Sequence, residues 1–146
     1  MKKIYYFSVI FALIILPLRK ISAQVSSEEF NALVSLYNNT NGANWTNKTG
    51  WNTTTNNVSN SWYGVTVYNG HVTQLNLSNN NLTGNLGNEF TNLTWLEDLN
   101  LSNNHLTGSL SSNIGSLYKL LSLNLSNNQL SGSLPQEIQY LDNAQL

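Results

Sequence analysis

Leu99-Asn100-Leu101-Ser102-Asn103-Asn104-His105-Leu106-Thr107-Gly108-Ser109-Leu110 decides the fold, because near copies begin at Leu75 and at Leu123. Each copy reads Leu-x-Leu-x-x-Asn-x-Leu followed by Ser/Thr-Gly-x-Leu, and the starts advance by a constant 24 residues. A fixed period in the twenties marks a solenoid of stacked coils, none of which can bury its apolar face alone. The fold class expected is an α/β-type repeat solenoid with short parallel strands on its concave face.

Within a copy the strand residues alternate, so the two leucines of Leu-x-Leu point inward and the residues between them point out. Leu75 and Leu77, Leu99 and Leu101, and Leu123 and Leu125 form the inward set. Leu82, Leu106 and Leu130 continue it, and Phe90, Ile114 and Ile138 with Leu93, Leu117 and Leu141 close each coil. Asn80, Asn104 and Asn128 recur where each strand turns away and leaves backbone groups unpaired. An Asn side chain offers both donors and an acceptor, so these three read as a structural ladder. Gly84, Gly108 and Gly132 follow at the turn, where backbone angles closed to other residues are expected.

With those residues in place, positions 72 to 141 resemble plant-type leucine-rich repeats, whose unit runs L-x-x-L-x-x-L-x-L-x-x-N-x-L, then Ser/Thr-Gly-x-Ile/Leu-Pro. Pro135 matches the final proline, whereas Gly87 and Ser111 do not, which predicts a less regular back to the first two coils. The resemblance implies recognition of a ligand on the concave sheet and no reaction.

Residues 24–74 read as an N-terminal cap built of a helix plus a hairpin. Ser26-Ser27-Glu28-Glu29 has the form of a capping box, and Phe30, Leu33, Val34 and Tyr37 follow at helical spacing. Asn38-Asn39-Thr40-Asn41-Gly42 ends the helix, and Asn69-Gly70 is a hairpin turn after the strand Trp62–Val67. Trp45, Trp51 and Trp62 stand in polar loop sequence. They offer either a sugar-stacking platform or the cap's small core; the open end of a solenoid must be covered, which favours the core. The segment is similar to the cap of plant-type repeat proteins, with Val67 in place of the cap cysteine. Leu33–Trp45 together with Trp62-Tyr63-Gly64-Val65 resembles the cysteine-free caps of secreted bacterial repeat proteins.

Lys2 and Lys3, the apolar run Ile4–Leu18 and the small Ala23 outline a signal peptide over residues 1–23. The run falls short of the roughly 20 residues a membrane span needs, although Arg19 and Lys20 leave an uncleaved anchor as the other option. Cleavage after Ala23 leaves two lysines against seven acids, a charge of 2 − 7 = −5, and no integral span. Nucleic acid is an unsuitable partner for such a chain, because its binding depends on Lys and Arg at phosphates. With no cysteine, thiol catalysis, iron–sulfur clusters and cysteine-zinc sites are excluded, and stability must come from packing.

Three repeats then occupy residues 75–146, the last incomplete. The surface left for recognition is the outward strand set: Thr73, Gln74, Asn76 and Ser78; Glu97, Asp98, Asn100 and Ser102; Leu121, Ser122, Asn124 and Ser126; with His105 in a variable column. Neighbouring strands stand about 4.8 Å apart, so Asn76, Asn100 and Asn124 should form one row and Ser78, Ser102 and Ser126 another. His71 and His105 belong to different coils and have no carboxylates at ligand spacing, so no metal is expected. Glu97 and Asp98 are neighbours in sequence with no second acidic strand across a pocket, as a general acid/base pair would require. No catalytic residue and no cofactor are assigned. Ten Asn-x-Ser/Thr sequons occur, several of them supplied by the repeat itself. The expected function is binding of a protein or glycan at a secreted or cell-surface location. The alternatives are a structural or ice-binding solenoid, or the N-terminal part of a larger receptor.

Overall fold

A computed structural model describes residues 24–141. The signal peptide assigned to residues 1–23 and residues 142–146, assigned to the third repeat, lie outside the described residues.

The chain opens with helix α1 (Ser27–Asn39), capped by Ser26. The Ser26 hydroxyl accepts from the Glu29 amide at 3.1 Å, while Glu29 Oε2 accepts from the Ser26 amide at 3.3 Å. This is the reciprocal capping box the sequence announces. The buried stripe is Glu29, Ala32, Leu33 and Leu36, one position away from the expected Phe30–Leu33–Val34–Tyr37. Phe30 and Tyr37 lie at the stripe's margin, packed on the aromatic side of the cap. Rotation follows from Glu29, which is drawn inward by a backbone donor described below. Thr40 closes the helix, its hydroxyl donating to Leu36 O at 2.6 Å, and Asn41 turns the chain in left-handed backbone.

The tryptophans form the cap's interior. Trp45 and Trp62 are buried, and ring centroids step from Tyr37 to Trp45 to Trp51 to Trp62 at 5.1, 4.8 and 4.8 Å. Edge-on and tilted contacts of this kind suit aromatic quadrupoles. The Trp45 indole donates to Thr40 O at 2.9 Å.

Strand β1 (Val65–Tyr68) turns through Asn69 and Gly70, both at positive φ, into β2 (His71–Asn76), which it pairs antiparallel. The next strand elements are β3 (Thr83–Gly84), β4 (Asp98–Asn100), β5 (His105–Leu106) and β6 (Ser122–Asn124). The main sheet has the order β1-β2-β4-β6, and β3 and β5 form a second, two-stranded sheet. Within the main sheet β2, β4 and β6 are parallel and in register, Leu75 beside Leu99 beside Leu123. That places equivalent positions of the 24-residue unit side by side.

The back of each coil is a 3-10 turn: Glu89–Asn92, Ser112–Ser116 and Gln136–Tyr140. The second back matches the third despite Ser111, whereas the first, after Gly87, is one residue shorter and is entered from Asn88 in helical instead of extended backbone. Phe90 and Ile114, both buried, anchor them from within. One core runs from the cap through all three coils. It thins toward the last: Leu77, Leu82, Leu101 and Leu106 are fully buried, whereas Leu125, Leu130 and Ile138 are half-buried and Leu134 is exposed. Among the described residues no helix is long and apolar enough to cross a membrane.

Candidate functional site

Each of the three parallel strands of the main sheet ends on the same local device. Asn76 Oδ1 accepts from the Ser78 amide at 3.2 Å and its hydroxyl at 2.9 Å. Asn100 does the same for Ser102 and Asn124 for Ser126. An Asx turn of this form competes with further ladder pairing and terminates the strand. The Asn row and the Ser row are thus in register, and their oxygens are committed to the turn.

Behind the turn stands the Asn80–Asn104–Asn128 ladder. Asn104 Nδ2 donates to Leu77 O, Leu101 O and Ser102 O within 3.2 Å. Its Oδ1 accepts from the Asn80 and Leu82 amides of the preceding coil, both at 3.0 Å. Asn128 repeats the pattern toward Leu101, Leu125, Ser126 and the Leu106 amide. Asn80 turns the other way. It donates to Asn47 O at 2.9 Å and accepts from the Asn47 amide at 2.7 Å, fastening the cap loop to the first coil.

The outward strand residues do not all reach solvent. Gln74, Asn76, Asp98, Asn100 and Ser122 meet around a cleft of about 240 Å³ over Leu75 and Leu99. A polar chain crosses it: Thr66 Oγ1 donates to Gln74 Oε1 at 3.2 Å, and Gln74 Nε2 donates to Asp98 Oδ2 at 3.1 Å. Glu97, Asn124, Ser126 and Leu121 are exposed and Ser78 is half-buried, outside that cleft. Three residues depart from the expected set. Thr73 is buried, because the antiparallel β1 covers the start of β2 and Thr66 O accepts its hydroxyl. Ser102 is buried between the coils on either side of it. His105 pairs with Thr83 in the second sheet. Asn103 takes positive φ just before it and carries the chain off the main sheet.

A larger cleft, about 380 Å³, opens where the start of α1 meets the strand-entry edge of the coils. Glu28, Glu29, His71, Asn92, Thr94 and Trp95 line it. Glu29 is 3% exposed; its Oε1 accepts from the Val72 amide at 3.0 Å, and its Oε2 lies 3.4 Å from His71 Nδ1. One carboxylate thereby caps α1 and fixes the first repeat strand. His71, Trp95 and Lys119 are equivalent positions 24 residues apart and stack as one column. His71 lies parallel to Trp95 with centroids 4.2 Å apart, and Lys119 Nζ sits 4.2 Å from the Trp95 ring centre. Trp95 and Lys119 were not singled out in the sequence; reading position 95 against 71 and 119 is the signal that finds them. Among the described residues no group of three or more His, Asp or Glu side chains could hold a metal ion.

Glu89 stands at the start of the first back turn. Its own backbone amide and that of Asn88 donate to the carboxylate and hold its pKa below the ordinary 4.5, with Ser35 of α1 adding to the effect.

A leucine-rich repeat family model matches three times, at residues 71–93, 95–117 and 119–141. The fold is similar to that in the BIR3–SERK2 complex of Arabidopsis thaliana, with 28% identity and a TM-score of 0.69 over 79% of this chain and 65% of that one. It is similar also to the Arabidopsis receptor kinase HAESA in complex with the peptide hormone IDA and the co-receptor SERK1, at 26% identity and a TM-score of 0.68 over 82% of this chain and 20% of that one. A plant ice-binding protein shares the fold at 20% identity and a TM-score of 0.52, over 81% of this chain and 46% of that one. The chain spans less than two thirds of the length of each. No curated protein sequence matches it significantly. Solenoid geometry, the stacked Asn ladder and three family matches at a 24-residue step agree: the chain is a leucine-rich repeat protein of the plant type, its repeats running from residue 71 to residue 141.

Proposed function

We propose that the chain is an extracellular binding module that takes a polypeptide ligand on the outward face of the main sheet and carries out no reaction. The observation behind this reading is the cleft on the outward face, where Gln74, Asn76, Asp98, Asn100 and Ser122 stand in register across three parallel strands. A row of polar side chains along registered strands suits recognition of an extended segment by hydrogen bonds. The HAESA complex contains a peptide hormone and a co-receptor, which supports a polypeptide ligand over a glycan. Residues 1–23 serve as the secretory signal and residues 24–74 as the cap.

The test places the 146-residue protein and a Ser122→Trp variant side by side against a displayed random peptide library. Ser122 is half-buried at the cleft, so an indole there fills the site without adding charge. Binders of the unaltered protein are expected to weaken at least tenfold on the variant; equal retention would overturn the reading. Mass spectrometry of the exported protein should find Gln24 as its first residue.

A second reading, as an ice-binding or structural surface, has support from the registered row Asn76, Asn100 and Asn124. Crystal shaping by the purified protein at millimolar concentration would establish it, and round, unfaceted crystals would remove it.

A further inference from the structure

We infer that the exported protein carries a pyroglutamyl residue at position 24, formed from Gln24 and seated against Asn56. The inference rests on the reading of residues 1–23 as a cleaved secretory signal. Cleavage after Ala23 leaves Gln24 with a free α-amine, and that amine and the side-chain amide can close a lactam ring within one residue. The amine nitrogen attacks Cδ of its own side chain, so a C–N bond forms and the Cδ–Nε2 bond breaks. Nε2 leaves as ammonia, taking one proton from the amine, and nothing is oxidised or reduced. Holding both reacting groups on one residue removes the need for any further reactant.

The fold keeps residue 24 open for this reaction and then offers the product a partner. Gln24 is exposed, while Val25 directly after it is buried. Asn56, in the polar loop between Trp51 and Trp62, holds both residues. Its backbone carbonyl accepts from the Gln24 side chain, and its Nδ2 donates to Val25 O at 3.1 Å. The other polar atom of its side chain, Oδ1, is buried and has no hydrogen-bond partner among the described residues. A buried acceptor left in that state is costly. Cyclisation gives up the side-chain amide and makes a neutral lactam N–H beside this oxygen. One acceptor satisfies that single donor, whereas an ammonium would bring a charge and three donors against buried Val25. Ser26 opens α1 immediately afterwards, so the ring also keeps a cation away from the positive end of the helix. A chain without cysteine gains from a lactam an N-terminus with no amine for exopeptidases to grip.

Mass spectrometry of the protein exported from cells that express all 146 residues reads this position directly. After storage at neutral pH its N-terminal peptide should be lighter by one ammonia than its sequence, and pyroglutamyl aminopeptidase should open it. Gln24→Glu, which has no ammonia to release, should keep a free amine over the same period. In the folded protein the ring N–H should exchange with deuterium about tenfold or more slower than in the released N-terminal peptide, as a bonded, covered amide does. An intact glutamine at position 24 would overturn the inference and leave the secretory reading standing. A first residue other than position 24 would overturn both. A ring N–H that exchanges as fast as in the peptide would overturn its seat on Asn56.

Discussion

At the residue scale, the side chain with the most consequences is Asn104. Its amide satisfies three carbonyls and two amides inside the solenoid, where unpaired groups are costly. Asn104→Ala should destabilise the protein by about 3 kcal/mol or more in urea unfolding. Asn128→Ala should cost clearly less, because Asn128 is half-buried and serves the Leu106 amide alone as acceptor. Glycines at equivalent positions are unequal for a related reason. Gly84 (φ 109°) and Gly108 (φ 80°) both need left-handed backbone, but a Cβ on Gly84 would run into the Asn39 carbonyl oxygen of the cap. On Gly108 it would meet only Asn85 Cβ at 3.4 Å. Gly108→Ala should cost about 1–2 kcal/mol, the strain of the backbone itself, and Gly84→Ala distinctly more by the same measurement.

At the scale of elements, the helix is joined to the repeats by a buried carboxylate. Glu29→Ala should remove both the capping box and the acceptor of the Val72 amide, at a cost of about 3 kcal/mol. Ser26→Ala should cost about 1 kcal/mol. Comparing the two by chemical denaturation separates helix capping from attachment to β2. The first back turn carries a pH dependence of its own. The Glu89 pKa is lowered on folding, so its contribution is present above the ordinary value of 4.5 and is lost as pH falls through the lower folded value. Glu89→Gln should therefore destabilise slightly at pH 7, and the difference from the unaltered protein should shrink as pH falls below 4.5 and vanish below the lowered folded value.

For the whole molecule, stability is expected to decline from cap to last coil. Leu101 is fully buried with a coil on each side, whereas Leu125 is half-buried at the outer face. Leu101→Ala should cost about 2–5 kcal/mol, as core truncations do, and Leu125→Ala about half that or less. Hydrogen exchange should show the third coil opening ahead of the first two, since fewer apolar contacts oppose local opening there.

The repeat, the inward leucines, the Asn ladder positions, the capping box and the Asn69-Gly70 hairpin are legible in the residues. Each depends on local geometry or on a period that the chain states three times. Ser102 departs because alternation tells which way a residue points and not what lies over it, whereas Thr73, two positions before inward Leu75, falls on the inward side of that alternation and His105 is placed only by its column in the repeat. A strand from the cap covers Thr73, flanking coils cover Ser102, and a left-handed turn at Asn103 moves His105 to another sheet. The one-residue rotation of α1 has the same origin, since the donor that pulls Glu29 inward belongs to Val72, 43 positions later in the chain. By itself the sequence determined the coil, its 24-residue step and the identity of its core. Tertiary structure alone laid the His71 ring on Trp95 and Lys119 over it and set Glu29 of α1 against the first repeat strand, because contacts between coils and with the cap depend on how the units pack and leave no pattern within any single unit.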